Sequence, residues 1–238
     1  MKQKHGNEVQ LLVVHLYSDE TRVTNFGDTS AYPLHLSISN LLGHVRAKTG
    51  NSRWLLAYLP APKALKTAQK SIRVKQRLTE IRNLALFHVL NPLKAMMDTP
   101  AQILCPDGIS RSCVLRIAFW IADTPEKSKL MLTIGTSCNI CMANEYEGSF
   151  ADVFPDCPLR SMSGTLKQWK RACKAYAAAP THSKGYLAAK KKLAGVKLNF
   201  CVVQPILHTF PDFSFASMAF DSMHTLEGKK PEIAFAIN

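Results

Sequence analysis

VQLLVVHLYSD, residues 9–19, is a run of aliphatic and β-branched side chains that stops abruptly at Ser18-Asp19. Composition and stop together read as a strand closed by an acid. Outward from it, Arg22–Phe26 is a second short β-rich segment, Gly27-Asp28 a turn, and Tyr32–Ile38 (YPLHLSI) a third strand. Three short strands parted by turn signals predict an antiparallel meander. Arg53–Leu59 is a fourth apolar segment, closed by Pro60 and Pro62. Lys63–Met97 then takes the helical period: Val74, Leu78, Ile81, Ala85 and Val89 recur at spacings of three and four and predict one buried stripe, which Pro92 is expected to kink or end. Ala101–Cys105, Val114–Ala122, Leu130–Ile134 and Leu198–Val203 read as further strands, Leu166–Ala179 and Lys184–Leu193 as helices. The fold class expected is α/β.

The chain has 238 residues, 47% of them apolar, enough for one large domain or one domain carrying an insertion. Lys and Arg number 30 against 17 Asp and Glu, a formal net charge of +13. Such a field attracts polyanions, with nucleic acid the first candidate and an anionic membrane surface the next. From Cys157 to Pro211 there is no Asp or Glu, while Lys167, Lys170, Arg171, Lys174, Lys190, Lys191 and Lys192 all carry charge. A second cluster comprises Lys63, Lys66, Lys70, Arg73, Lys75, Arg77 and Arg82, opposed only by Glu80. Either run alone also reads as a solvated helix face; two of them favour a nucleic-acid partner.

The cysteine count is odd, at seven, and the N-terminal MKQKH leads straight into the first strand without a secretory signal. No stretch is long and apolar enough to span a bilayer. A reducing compartment follows as the expectation, nucleus or cytoplasm, not secreted, with paired cysteines read as metal ligands before disulfides. Cys138-Asn139-Ile140-Cys141 has the spacing of half a zinc site, or is a pair of buried thiols. Cys157, Cys173 and His182 lie downstream without a second tight pair. Asp19 reads as a turn residue or as the acid with which a meander of this kind begins a divalent-metal site. Asp221 and His224 form a D-x-x-H group that is either a helix cap or a pair facing one way. No nucleophile–histidine–acid motif and no glycine-rich phosphate loop is present, which removes hydrolase, kinase and dinucleotide readings, and no small-molecule cofactor is expected.

Taken in order, these segments resemble the Plavaka-type (CACTA-like) DDE/D transposases of basidiomycete fungi. Ser18-Asp19-Glu20-Thr21 and Ala31–Asn40 (AYPLHLSISN) are similar to that family's opening. Trp54–Pro60, Leu86-Phe87-His88, Asp107–Arg111 (DGISR) and Ile121–Glu126 (IADTPE) are similar to later segments. Cys138–Cys141 falls where the family has C-P-x-C, Pro158-Leu159-Arg160 where it has P-L-R, and Asp221–His224 where it has D-x-[LM]-H. The resemblance runs from about Asn7 to Gly228.

It implies an RNase H-like core, an antiparallel three-stranded meander plus helices, with a basic, cysteine-bearing insertion. The expected division is 1–136 for the first part of the core, 137–200 for the insertion and 201–238 for the segment with the second acidic motif. Asp19 is then the first catalytic carboxylate, Asp221 the second with His224 beside it, and Asp107 the alternative second acid. Asp19 and Asp221 would hold Mg²⁺ or Mn²⁺, Cys138 and Cys141 zinc. DNA would be the partner, with self-association of copies and no membrane. Lys70, Arg73, Lys75, Arg77 and the basic residues of 167–192 would contact it. The family's third acid is expected beyond Asn238, and Glu227 and Glu232 are too close to Asp221 to replace it. The expectation is therefore a truncated or decayed copy, inactive by itself, that binds DNA and in an intact copy cleaves and transfers strands. The alternative is a non-catalytic nucleic-acid-binding protein of transposon origin.

Overall fold

The structure, a computed structural model, describes residues 9–23, 30–42, 44, 52–61, 71–105, 107–134, 137–142, 158–210, 213–214 and 217–220. Strand β1 (Gln10–Ser18) is central in a mixed sheet. It pairs antiparallel with β4 (Pro33–Ile38) and parallel with β7 (Ser110–Ala122). Flanked on both sides, it is nearly continuous in apolar residues, as interior strands are. β5 (Arg53–Tyr58) extends the meander beyond β4. The far edge of β7 is shared: β6 (Ala101–Leu104) runs antiparallel to its first residues, and β8 (Met218–Phe220) runs parallel to its last. The meander is thus β1-β4-β5. The Arg22–Phe26 segment predicted as its second strand supplies only the end of β2 (Thr21–Arg22), paired with β3 (Ser30–Ala31) in a separate two-stranded ladder; Val23 is outside any strand and 24–26 lie outside the described residues.

Four α-helices are described: α1 (Ile72–Asp98), α2 (Thr124–Met131), α3 (Met162–Ala177) and α4 (His182–Leu193). Helix α1 differs from the sequence reading in the face it buries and, of the kink or end expected at Pro92, it shows no end. It passes through Pro92 without ending, because Pro92 and His88, whose carbonyl loses its partner, both face solvent. Its core face is Leu86, Leu90 and Met97, with Asn83 also buried, whereas Ile81 of the predicted stripe is exposed. Several faces of α1 are apolar, with Leu84 and Phe87 also exposed, so periodicity alone does not select one. Leu130–Ile134 is not a strand. Asp123 caps α2, its Oδ1 accepting from the Glu126 N–H at 2.7 Å, and Pro125 sits in the first turn, where proline suits a helix. Beyond Leu132, which adopts the left-handed conformation (φ 58°), only Thr133 forms an isolated bridge, to Leu198. Leu198–Val203 is otherwise irregular, including at the buried Phe200 and Cys201.

The main core joins Val14, Leu16, Leu34, Ile117 and Trp120 of the sheet to the buried side of α1, to Leu130 and Met131 of α2, and to Ile206, Leu207 and Phe210. Arg116, buried on β7, donates through Nη1 to the carbonyl of Met97 at 2.6 Å and so ties the last turn of α1 to the sheet. Helices α3 and α4 pack as a hairpin on a second, smaller cluster of Ala172, Ala189, Leu193, Leu198 and Phe200. Gly185 permits their close approach: a Cβ there would lie 2.7 Å from the Tyr176 carbonyl oxygen. Among the described residues no helix is long and apolar enough to cross a membrane.

Candidate functional site

The parallel register of β1 and β7 decides which acids meet. Tyr17 lies opposite Ile121, so two residues further on Asp19 and Asp123 leave neighbouring strands at the same level. Adjacent strands are about 4.8 Å apart, within carboxylate reach of a shared ligand. The two strand ends are pinned to each other by Trp120, whose buried indole N–H donates to Ser18 Oγ at 2.8 Å. Asp19 is exposed and has no hydrogen-bond or ion-pair partner among the described residues. Asp123 spends one oxygen on the cap of α2, which fixes its orientation.

Two more acids adjoin them. The Glu126 side chain is only 3% exposed, and neither of its oxygens accepts a hydrogen bond. Burial pushes its carboxyl up to about 7; the Lys129 ammonium, 3.5 Å away, opposes that rise, and Glu20 and Asp19 add to it. Lys129 also pairs with Glu20 at 3.6 Å. This edge therefore carries Asp19, Glu20, Asp123 and Glu126, with Lys129 paired to the two glutamates. Among the described residues no group of three His, Cys, Asp or Glu is arranged to hold a metal ion.

Asp107 is not brought to this edge. It lies in the turn before β7, at the opposite end of a 13-residue strand, and its two oxygens accept from Arg111 at 2.8 and 2.6 Å. That pairing holds its carboxyl down at about 2. It closes a β-turn rather than meeting Asp19. Asp221 and His224 lie outside the described residues; the last described residue, Phe220, is opposite Ala122.

Cys138 and Cys141 sit in a tight turn in which the N–H groups of Ile140 and Cys141 both point at Cys138 Sγ, at 3.3 and 3.4 Å. The Pro158-Leu159-Arg160 segment backs that turn: Cys141 bridges to Leu159, and Arg160 donates to the carbonyls of Cys138 and Val196 at 2.9 and 2.6 Å. Cys157 lies outside the described residues. Cys173 packs against the hairpin core and His182 edges onto the Tyr176 ring, so neither completes the pair.

The basic residues of the hairpin are solvent-facing. Lys167, Lys170, Arg171 and Lys174 recur at helical spacing along one side of α3, and Lys190, Lys191 and Lys192 end α4, all exposed. On α1, Arg73 and Lys75 are exposed, whereas Arg77 is paired with Glu80 at 3.0 Å. Lys70 lies outside the described residues. Reading the sequence alone missed Asp123, Glu126 and Glu20 as members of a site. The signal was present, since Asp123 closes the apolar run 114–122 as Asp19 closes 9–17.

The structure is that of a mixed α/β protein with acids closing adjacent parallel strands and an exposed basic helical hairpin. The particular assignment comes from its sequence: the family model of the Plavaka transposase matches residues 1–228, and the chain belongs to that family. No curated protein matches it.

Proposed function

We propose that the chain is part of a transposase catalytic core that binds DNA through its basic hairpin and carries the first acids of a phosphodiester-cleaving site, acting in the nucleus. The observation that carries this is the placement of Asp19 beside Asp123 at the ends of neighbouring parallel strands. The strand arrangement supports an RNase H-like core: a three-stranded antiparallel meander, then a helix, then two strands parallel to the first. Residues 137–200 fall in the chain between the two parallel strands, as an insertion would.

The donor set suits a hard divalent cation. Asp19 offers a carboxylate with no described partner, and Asp123 one with a free second oxygen, both on rigid strand ends. Asp19 and Asp123 would hold Mg²⁺ or Mn²⁺, joined by Asp221, which follows Phe220 directly in the chain. When bound, the cation supplies activation of an attacking oxygen and neutralisation of phosphate charge. The chain's own contribution is position: the Trp120–Ser18 bond fixes the strand ends, the cap fixes Asp123, and Lys129 offsets part of the local negative charge. The Cys138 turn, with two N–H groups stabilising one sulfur, suits one half of a zinc site that would tie the hairpin to the sheet.

A non-catalytic DNA-binding role is the second reading, favoured by the hairpin's exposed cations alone. Incubation of the chain with DNA carrying element ends separates the two. Metal-dependent nicking that disappears in Asp19→Asn and in Asp123→Asn, with DNA affinity retained, supports the catalytic reading. Nicking unchanged by Asp123→Asn would remove that residue from the site, and DNA binding with neither nicking nor Mn²⁺ bound in a manner dependent on Asp19 and Asp123 leaves the second reading.

A further inference from the structure

A cleft of about 480 Å³ opens between α1, α2 and α4, next to the acidic edge, and its walls carry three cations and no acid. Lys75 and Arg82 reach it from α1 and Lys129 from α2. The size falls in the range of small-ligand sites, about 300–1,000 Å³. Most of its polar lining is already satisfied within the protein. Thr79 donates to the Lys75 carbonyl, Ser128 to that of Thr124, and Asn199 to that of Thr133, while Thr133 donates to Asn139. Gln76 is the exception. It is 5% exposed, it lines the cleft, and among the described residues neither its amide nitrogen nor its amide oxygen has a partner. The Nε of Arg82 lacks one too.

A buried amide with neither donor nor acceptor used is costly unless something completes it. A side-chain amide presents one donor beside one acceptor, which is the complement of the adenine N6 and N7 edge. Cations grouped around it fit a phosphate. We infer that this cleft is a nucleotide pocket, in which Gln76 reads an adenine edge while Lys75, Arg82 and Lys129 hold the attached phosphate. Lys129 places the pocket directly against the acidic edge, because the same ammonium pairs with Glu20 and Glu126. The inference rests on the transposase reading only in naming a DNA strand as the source of the nucleotide; the pocket chemistry is the same for a free one.

The test uses the full chain and two probes: free deoxynucleoside monophosphates, and short labelled single strands with adenine, cytosine or no base at one position. Deoxyadenosine monophosphate is expected to bind roughly tenfold more tightly than its cytosine counterpart, a preference abolished in Gln76→Leu. Lys75→Ala, a change at an exposed position, should weaken all nucleotides alike and lower the salt dependence by about one phosphate contact. The inference is overturned if Gln76→Leu keeps the adenine preference, or if it raises the unfolding midpoint with nucleotide affinity untouched. Free nucleotide bound without any affinity for strands would sink the transposase reading and keep the pocket. Strand binding that needs Lys167, Lys170 and Lys174 yet ignores Gln76 and Lys75 would do the reverse.

Discussion

Replacing Glu126 by Gln removes a charge from a place where the protein does little to solvate it. The side chain is 3% exposed, its oxygens accept no hydrogen bond among the described residues, and the Lys129 ammonium, 3.5 Å away, is shared with Glu20. Its carboxyl rises from 4.5 to about 7, chiefly through burial. The folded protein therefore keeps a proton that the unfolded chain gives up from about pH 4.5 upward, so wild-type stability falls as pH rises across that window and levels off above about 7. At about 1.4 kcal/mol for each pH unit, the loss is on the order of 3 kcal/mol. Glutamine occupies the same volume without ionising. Glu126→Gln should match the wild type near pH 4 and exceed it by up to ~3 kcal/mol near pH 8. Urea denaturation of both proteins at intervals between those limits reads this as a gap in midpoint that opens with pH while the slope stays constant. A gap of constant size, or a variant weaker than wild type at the alkaline end, would refute the account of Glu126 as a buried carboxylate held near neutrality. Added Mg²⁺ should narrow the gap if a cation bound at Asp19 and Asp123 stabilises the ionised form.

Gly185→Ala gains about 1 kcal/mol of helix propensity but sets a methyl 2.7 Å from the Tyr176 carbonyl oxygen and 3.1 Å from its Cδ2, an overpacking cost of ~1–3 kcal/mol, so thermal unfolding should show net destabilisation. Removing Lys167, Lys170 and Lys174 together should leave the fold intact, as all three are exposed, and reduce the slope of log affinity for duplex DNA against log salt by up to about 3. A strong chelator should lower the unfolding midpoint of the wild type but not that of Cys138→Ser; a midpoint indifferent to chelation in both would leave the cysteine turn as packing alone.

The central strand, the β4 and β5 segments and the α/β class were legible from composition and turn residues, but the meander was drawn through Arg22–Phe26, whereas its third strand is β5. The strand reading of Leu130–Ile134 failed where two local signals competed. The apolar run suggested a strand, but the Asp123 cap and Pro125 had already started a helix upstream of it. The face that α1 buries could not be chosen from periodicity, since Ile81, Leu84 and Phe87 remain exposed while Asn83 and Gln76 are buried. Asp19 was legible as an acid at a strand end. Its neighbour was not, because Asp123 becomes adjacent only through parallel pairing of β1 with β7, a non-local choice that no short window of sequence encodes.

That same pairing sets the electrostatics of the site. Parallel strands bring their carboxyl-terminal ends together, and here both ends continue into acids, so the fold concentrates negative charge at the edge that the proposed function assigns to a DNA backbone. A polyanion reaches such an edge only if cations hold it from the sides. Lys129 belongs to both environments: it pairs with Glu20 and Glu126 and also lines the basic cleft with Arg82, which itself feels the charge of Glu20. With Lys129 engaged by those two glutamates, Asp19 and Asp123 have no ion-pair partner among the described residues, which leaves their charge for a divalent cation to neutralise under the proposed function. Under the proposed function, loss of Lys129 alone should therefore weaken both DNA binding and cation binding, whereas loss of a hairpin lysine should weaken only the first.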